Sequence, residues 1–305
     1  MTENRFVFVD IDNSVSEHIA APNYSYWKSV AKKFFSSKVA IGVLALVTIV
    51  ILMSAIHPII SGYSAFSAPN INDFTKHYIR PNFEYWFGTD NIGNSLFDAV
   101  WLGTRTSLSI AFIATIITTV LGVIVGAFWG YSKKIDKVMI EIYNVVANVP
   151  FTLLIIILMY VIGRGYWQLI FSLSVTTWLS TAYFIRIQVM IIRDREYNLA
   201  SRCLGTPTPR VIQHNILPFL ISIIVTAVAR DVPMFISYEV FLSYLGIGLG
   251  AKVVSLGQMI RDYSAYMNST PYMFWIPVSI SAIIAVSLYI VGQTLADAAD
   301  PRTHM

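Results

Sequence analysis

Six long apolar stretches divide this 305-residue chain and constrain its fold more than any other feature. A helix needs roughly 20 apolar residues, at about 1.5 Å each, to cross the hydrocarbon core of a bilayer. Backbone groups left unpaired in lipid cost several kcal/mol each, so each crossing segment is expected to be helical. The predicted spans are residues 39–60, 106–131, 138–162, 166–185, 217–245 and 273–292. The sequence therefore predicts an all-α membrane protein with six transmembrane helices.

The composition excludes an ordinary soluble domain. Hydrophobic residues make up 56% of the chain and charged residues only 12%, whereas soluble domains have about 25% charged residues. The net charge of +4 is modest, and the basic residues lie between the apolar stretches rather than on one folded face. A nucleic-acid partner is therefore not expected.

The distribution of lysine and arginine predicts the orientation in the membrane. Fourteen of the 21 basic residues fall on the same side of six spans. Because short cytoplasmic segments carry an excess of Lys and Arg, both termini of this multi-pass membrane protein are predicted to be cytoplasmic. The one cysteine, Cys203, lies on the same side, and a disulfide within the chain is impossible.

The spans divide the chain into five parts. In order these are a cytoplasmic N-terminal segment (1–38), the first transmembrane helix (39–60), an extracellular loop (61–105), a core of five transmembrane helices (106–294) that includes a cytoplasmic loop (186–218), and a cytoplasmic tail (295–305). The first part ends in a basic, aromatic stretch at 24–38. This stretch is either an amphipathic helix in the anionic lipid headgroup layer or simply a charged start to the first span.

The loop 186–218 is long for a connection between membrane helices, and long loops are often functional. It divides at Gly205, which suits a helix C-cap and is followed by two prolines that cannot continue that helix. The pattern predicts two helices joined by a turn, with small residues at Ala200 and Ser201 that allow close approach of another chain. The alternative is a solvated loop with ordinary turn chemistry.

This loop carries a family resemblance. Residues 195–205 read REYNLASRCLG and residues 215–218 read NILP, which resembles the "EAA" coupling motif of ABC importer permeases. Two positions depart from that motif, because Leu199 stands where its glutamate usually is and Ser201 where its second alanine is.

Further segments resemble peptide permeases of the OppC/DppC type. They are WFGTDNIG at 86–93 with GTRTSL at 103–108, EVFLSYLGIG at 239–248, SLGQMI at 255–260, and LADAADPR at 295–302. Within the family, the sequence is most similar to the AmiD/OppC subunits of streptococcal-type oligopeptide importers. The resemblance implies a type I ABC importer permease (MetI-like) fold with a cytoplasmic coupling helix, in a bacterial cell membrane.

The resemblance also implies partners. A second, OppB-like (AmiC-like) permease would complete the pathway, two cytoplasmic ATPases (OppD/OppF-like or AmiE/AmiF-like) would bind ATP and magnesium, and an extracellular lipoprotein would deliver peptide. The residues implied to contact the ATPases are Arg195, Glu196, Leu199, Ala200, Ser201, Gly205, Leu217 and Pro218. The chain itself is expected to be a permease without enzyme activity or bound cofactor. One observation that does not depend on the resemblance agrees with this expectation: the sequence contains no G-x-x-x-x-G-K-[ST] phosphate-binding loop.

Charged residues interrupt the fifth span. A charge at the membrane centre costs roughly 2.5–3.5 kcal/mol on insertion scales, so it normally faces protein or water. Arg230 and Asp231 are adjacent and not at helical pairing distance, so each is expected to find a partner elsewhere. We expect the face with Arg230, Asp231, Tyr238 and Glu239 to line or gate the peptide pathway. The alternative is an ion pair between helices or subunits.

The sequence is also compatible with other functions. The five histidines have no metal-ligand spacing, so no metal site is expected. Within the family, a dipeptide or nickel importer shares the motifs. An ion-driven secondary transporter and a non-transporting peptide sensor are rivals of other classes. The aromatic residues between 61 and 100 are candidates for docking the binding protein.

Overall fold

The computed structural model describes residues 25–64, 69–250 and 253–299, whose regular elements are helices. The helices are α1 (Tyr26–Phe34), α2 (Lys38–Ile60), α3 (Leu96–Tyr131), α4 (Lys133–Ala147), α5 (Phe151–Ile162), α6 (Tyr166–Arg193), α7 (Glu196–Cys203), α8 (Thr208–Tyr244), α9 (Leu256–Tyr263) and α10 (Pro271–Ala299). Short 3₁₀ turns occur at Phe74–Lys76 and Ser264–Tyr266, and a π-helical turn at Ile212–Ile216 lies within α8.

Five helices are long and apolar enough to cross a membrane by themselves: α2, α3, α6, α8 and α10. The pair α4 and α5 passes the same test together and is bent by 84° at its junction, which gives a sixth span if the pair crosses once. The prediction of an all-α protein with six spans agrees with this arrangement. Residues 1–24, Lys252 and the tail from Asp300 onward lie outside the described residues.

The second span is longer than predicted. Helix α3 begins at Leu96, ten residues before the predicted start at Thr106. The Ser95 hydroxyl caps the helix by accepting a hydrogen bond from the Asp98 amide at 3.4 Å. Serine followed three residues later by an acidic residue is a helix-start signal. The last ten residues of the predicted loop 61–105 are therefore helical. The Ser95 cap determines where α3 begins, whereas the start of the apolar run does not.

The third span is broken rather than continuous. Helix α4 ends at Ala147 and α5 begins at Phe151, with Pro150 at its N-cap. Proline has no backbone N–H and disfavours helical geometry at the preceding residue, Val149, so the chain turns at this point. The predicted single helix 138–162 is thus two helices at a steep angle.

The predicted loop 186–218 is mostly helical. Helix α6 continues to Arg193, eight residues beyond its predicted end, and α8 begins at Thr208. The Arg193 guanidinium is buried and donates to the Gly130 carbonyl at 2.8 Å, which holds the last turn of α6 against the end of α3. The short helix predicted before Gly205 is present as α7.

Helices α3 and α6 pack closely against each other along a stripe of small residues. Gly122, Gly126 and Gly130 repeat every fourth residue along α3, on the face toward α6. A Cβ atom on Gly126 would lie 2.4 Å from the Ala182 carbonyl oxygen, and one on Gly130 would lie 2.6 Å from the Arg186 carbonyl. Small residues at this spacing let helix backbones approach closely in membranes.

The N-terminal helix α1 packs on the last turn of α10. The Tyr26 hydroxyl donates to the Ala299 carbonyl at 2.6 Å, and Lys33 Nζ donates to the Asp297 carbonyl at 3.3 Å. Trp27 remains half exposed on the outer side. The stretch at 24–38 is thus helical over Tyr26–Phe34, and its placement in the lipid headgroup layer stays a prediction.

Candidate coupling surface and translocation face

Helix α7 has well-defined ends. Arg195 is its N-cap in an extended conformation, and Gly205 follows the helix with a φ of 76°. The amide of Gly205 donates to the Arg202 carbonyl at 2.9 Å, and the amide of Thr206 donates to the Ser201 carbonyl at 3.1 Å. These two bonds form a Schellman motif, which needs a left-handed residue such as glycine. The glycine of the family motif therefore terminates α7.

Two asparagines fix α7 to the helices on either side of it. Asn198 is fully buried, and its Nδ2 donates to the Ile192 carbonyl of α6 at 3.0 Å. Asn215, in the π-helical turn of α8, donates to the Ser201 hydroxyl at 3.0 Å. A movement of α7 is thereby tied to both α6 and α8.

Two arginines complete this anchor. Arg202 of α7 donates to the Arg193 carbonyl at 2.8 Å and stacks over the Tyr131 ring, with 4.9 Å from its guanidinium carbon to the ring centroid. Arg193 bonds to Asp194 at 3.1 Å. The Arg193 guanidinium holds the pKa of the Asp194 carboxyl below its usual range, because the bond favours the ionised form.

Most of the residues implied to contact the ATPases are accessible. Among them, Arg195, Glu196, Leu199, Ala200, Gly205 and Pro218 are exposed, whereas Ser201 and Leu217 are partly buried. Apolar side chains are exposed beside them at Tyr197, Leu199, Leu204 and Phe219. The Tyr197 and Phe219 rings lie 5.9 Å apart, which joins the outer face of α7 to the start of α8 in one surface. We call this surface the α7 surface.

In the fifth span, Arg230 and Asp231 bind each other. An Arg230 Nη2 atom lies 3.2 Å from Asp231 Oδ1, and the guanidinium also lies over the Phe184 ring of α6. The expectation that the two residues do not pair with each other is wrong, whereas Arg230 does take a further partner elsewhere, the Phe184 ring. The long arginine side chain folds back along its own helix, so side chains 100° apart still meet. The arginine side chain stays 61% exposed, whereas that of the aspartate is 4% exposed.

Glu239 lies inside the bundle. Its side chain has no exposed surface and accepts hydrogen bonds from the Ser107 hydroxyl of α3 at 2.7 Å and the Ser243 hydroxyl at 2.9 Å. Ser107 Oγ in turn accepts from the Leu256 amide at 3.2 Å, at the start of α9. Glu239 thus connects three helices and does not face an open surface of this chain.

Tyr238 occupies a different environment from its neighbour Glu239. It is partly buried, and its ring lies 4.6 Å from the Phe151 ring at the start of α5. The four residues proposed for the pathway therefore do not share one surface. Arg230 and Tyr238 reach the side of the bundle toward α5 and α6, while Glu239 is buried among α3, α8 and α9.

The motif at 86–93 has a structural role that sequence reasoning missed. Asp90 is buried, and its Oδ1 accepts from the amides of Ile92 at 2.9 Å and Asn94 at 2.8 Å. The Tyr263 hydroxyl, from the last turn of α9, lies 3.4 Å from Oδ2. Burial raises the pKa of the Asp90 carboxyl. An aspartate followed by Gly and Asn in a loop is the available signal for such a turn.

Sequence reasoning also missed the anchors Arg193, Asn198 and Asn215, which are scattered polar residues without periodicity. Their signal is weak because a buried asparagine is recognisable only once its neighbours are known. In the described part of the chain, no group of three or more His, Cys, Asp or Glu is arranged to hold a metal ion.

Comparisons with known proteins agree with this architecture. A family model described as "Binding-protein-dependent transport system inner membrane component" matches residues 119–305. A second, described as "N-terminal TM domain of oligopeptide transport permease C", matches residues 25–79. A structure of the MetNI methionine ABC transporter in an inward-facing conformation matches with a TM-score of 0.54 at 19% identity, covering 67% of this chain and 95% of that chain.

Curated relatives match over almost the whole length. The oligopeptide transport system permease protein AmiD of Streptococcus pneumoniae is 51% identical, covering 99% of this chain and 98% of that protein. The oligopeptide transport system permease protein OppC of Bacillus subtilis is 33% identical over 94% of this chain and 93% of that protein. The dipeptide transport system permease protein DppC of Bacillus subtilis is 31% identical, covering 97% and 92%.

Proposed function

Because the chain belongs to the family of binding-protein-dependent transport system inner membrane components, we propose that it is a permease subunit of an ATP-driven importer for oligopeptides. The observation that carries this proposal is 51% identity, over nearly all of both chains, to a permease of an oligopeptide transport system. The dipeptide permease is more distant, at 31% identity. This difference favours oligopeptides over dipeptides as the substrate.

The proposed assembly contains a second homologous permease, two cytoplasmic ATPases and an extracellular peptide-binding lipoprotein. The ATPases bind ATP and magnesium, and this chain contributes part of the pathway. The α7 surface supports the docking of one ATPase, since it is exposed, partly apolar and firmly anchored to α6 and α8. Both termini are then cytoplasmic. The exposed aromatic residues Phe74 and Trp86 support docking of the lipoprotein on the opposite side.

Reconstitution of the complete importer in vesicles tests this function. We expect ATP-dependent uptake of a labelled tetrapeptide that requires both ATPases and the binding protein, with weaker uptake of dipeptides and none of Ni²⁺. Uptake that is driven by an ion gradient without the ATPases contradicts the proposal. Binding of peptide without any uptake by the complete assembly contradicts it as well.

A charge placed on the α7 surface tests the docking. Leu199 is 44% exposed, and L199D introduces a carboxylate at the centre of the surface. We expect this variant to lose co-purification with the ATPases, because desolvating an unpaired charge at an interface is costly. The matched control is S36D, which adds the same charge to the exposed turn between α1 and α2. Equal retention of the ATPases by both variants contradicts docking at this surface.

A further inference from the structure

A cavity opens beside the break between α4 and α5. Its volume is about 370 Å³. The polar side chains in its lining are Tyr143, Asn148, Thr176 and Ser180, and the others are apolar, with Phe151 next to the break. None of the described residues that line it is charged. The cavity therefore offers neutral hydrogen-bonding groups and aromatic surface together.

The cavity lies near the middle of the membrane span. Thr176 is ten residues from the start of α6 at Tyr166, and Ser180 is thirteen residues from its end at Arg193. At about 1.5 Å per residue these separations are roughly 15 and 20 Å. Non-helical backbone at this depth is stable only where it is covered by protein or lines a water-filled space. The exposed residues Asn148 and Pro150 at the break therefore indicate a space that is not lipid.

A polar stripe on α4 leads from the predicted cytoplasmic end of the bundle to this cavity. Lys134, Lys137, Glu141, Asn144 and Asn148 are all exposed and follow one another at intervals of three and four residues. This spacing places them on one face of a helix. Charged groups in a transmembrane segment normally face protein or water, so the stripe marks a hydrated route.

The polar groups in the cavity retain unused hydrogen-bonding capacity. Asn148 Nδ2 donates to the Asn144 carbonyl, but its Oδ1 accepts no hydrogen bond from the described residues. The Thr176 hydroxyl donates to the Ser172 carbonyl at 2.8 Å, which leaves its lone pairs available. The Ser180 hydroxyl has no hydrogen-bond partner among the described residues and is exposed. Both donors and acceptors thus remain for a ligand.

We propose that this cavity is a subsite that binds the main chain of a peptide during translocation. The inference rests on the proposed function and specifies where, and through which groups, the substrate is held. A peptide unit carries one donor and one acceptor whatever its side chain, so amide and hydroxyl groups bind it without selecting a sequence. Tyr238 supports the assignment, because its ring contacts Phe151 of the cavity wall and joins the cavity to the fifth span.

Lipid is a poorer occupant of this space. An acyl chain cannot pair with the Asn148 amide or the Ser180 hydroxyl, and an unpaired polar group in an apolar environment costs about 1–3 kcal/mol. A helix of the second permease is the remaining competitor. The accessibility of the cavity to water-soluble reagents in the complete importer distinguishes a hydrated subsite from both alternatives.

The first experiment compares uptake by variants in the reconstituted importer. N148L and T176V remove the polar groups while keeping the number of side-chain heavy atoms, and T152V is the matched control on an exposed threonine that does not line the cavity. We expect a three- to tenfold loss in kcat/KM for trialanine uptake in N148L and T176V, corresponding to about one hydrogen bond each, and no change in T152V. Equal uptake by all four proteins overturns the inference.

A backbone-modified substrate separates recognition from a structural effect. The wild-type importer is expected to prefer trialanine over its N-methylated analogue, and N148L and T176V are expected to reduce that preference at least threefold. The binding protein is the same in every sample, so its own preference cancels. A uniform loss of uptake of both peptides, with the preference intact, assigns these residues a structural role and overturns the subsite.

The second experiment measures accessibility. Because Cys203 is the one cysteine of the chain, C203S provides a cysteine-free background for S180C. We expect a water-soluble thiol reagent to label S180C in the assembled importer, and transported trialanine to slow the labelling at least fivefold. K134C, on the polar stripe, is the control that is labelled without protection. Labelling of K134C alone shows that lipid or a partner helix fills the cavity, and unprotected labelling of S180C excludes peptide.

Failure of this inference is distinguishable from failure of the proposed function. If the wild-type importer shows no ATP-driven peptide uptake, the proposed function and the subsite fall together. If the wild-type importer transports peptide while N148L, T176V and S180C behave like the controls, only the subsite is overturned.

Discussion

Replacing Glu239 with leucine tests whether this residue is a packing element or a pathway residue. The carboxylate has no exposed surface and accepts hydrogen bonds from Ser107 and Ser243. Leucine fits a similar volume but accepts nothing, so both hydroxyls lose their partner. A packing role predicts a loss of stability in E239L, whereas a pathway role predicts a loss of transport in a protein of normal stability.

The expected loss of stability depends on whether the Ser107 and Ser243 hydroxyls find other hydrogen-bond acceptors. Hydrogen bonds between membrane helices average about 0.6 kcal/mol, while a buried hydroxyl left unsatisfied costs about 1–3 kcal/mol. Both hydroxyls lie on helices and are able to donate to a backbone carbonyl one turn earlier, which limits the penalty. We therefore expect E239L to lower the free energy of unfolding by about 1–3 kcal/mol.

Thermal unfolding of the purified chain in detergent, followed by size-exclusion chromatography, measures this loss. S237A is the control, because Ser237 lies on the same helix but is exposed; a change within about 0.5 kcal/mol is expected there. The triple variant S107A/S243A/E239L is expected to recover part of the stability, since the Ser107 and Ser243 hydroxyls are then gone, whereas the Ser255 hydroxyl, which also bonds to Glu239, and the Leu256 amide, which donates to Ser107, lose their partners. Wild-type stability in E239L, or strictly additive effects in the triple variant, refutes the reasoning.

Three further predictions concern other parts of the fold. G126V is expected to prevent close packing of α3 on α6 and to lower expression and melting temperature, whereas G42V, where a Cβ meets nothing within 4 Å, is tolerated; thermal melting of both variants checks this. The raised pKa of Asp90 means that the folded state holds this proton more tightly than the unfolded chain, so its stabilising contribution is lost as pH rises through the folded-state pKa. D90N keeps the Oδ1 acceptor and is expected to gain stability over wild type at pH 8 relative to pH 4; an equal difference at both pH values contradicts this. D136N is expected to cost about 1–3 kcal/mol, because the Asp136 carboxylate pairs with the partly buried Arg186 through two hydrogen bonds, and unchanged urea or heat resistance argues against it.

The sequence predicted the helical type of the spans and their approximate number because the apolar runs are long. It misplaced boundaries where capping, proline chemistry or a buried arginine decides the end of a helix. Ser95 starts α3 early, Pro150 breaks the third span, and Arg193 extends α6 into a polar segment. In each case a single residue outweighs the average hydropathy of its neighbours.

The candidate site was predictable only in part. The exposed positions of α7 follow from the family motif, and Gly205 follows from helix-capping rules. The asparagines that anchor α7 were not predictable, because the roles of Asn198 and Asn215 depend on hydrogen-bond partners that only the fold brings close. The partner of Asp231 was predicted wrongly. The spacing rule for ion pairs on a helix does not account for how far an arginine side chain reaches along its own helix, and Arg230 binds Asp231 directly.

The anchors of α7 suggest how an ATPase movement reaches the substrate cavity. Asn215 joins α7 to α8, which continues as one helix to Tyr238, about 35 Å away along its axis. Tyr238 contacts Phe151 in the cavity wall. We infer that displacement of α7 re-aims α8 and thereby opens or closes the cavity, as a two-state element biased by ATPase contacts. The N215A variant is expected to retain ATPase binding while transporting fewer peptides per ATP hydrolysed; an unchanged transport-to-hydrolysis ratio in reconstituted vesicles rules out this route.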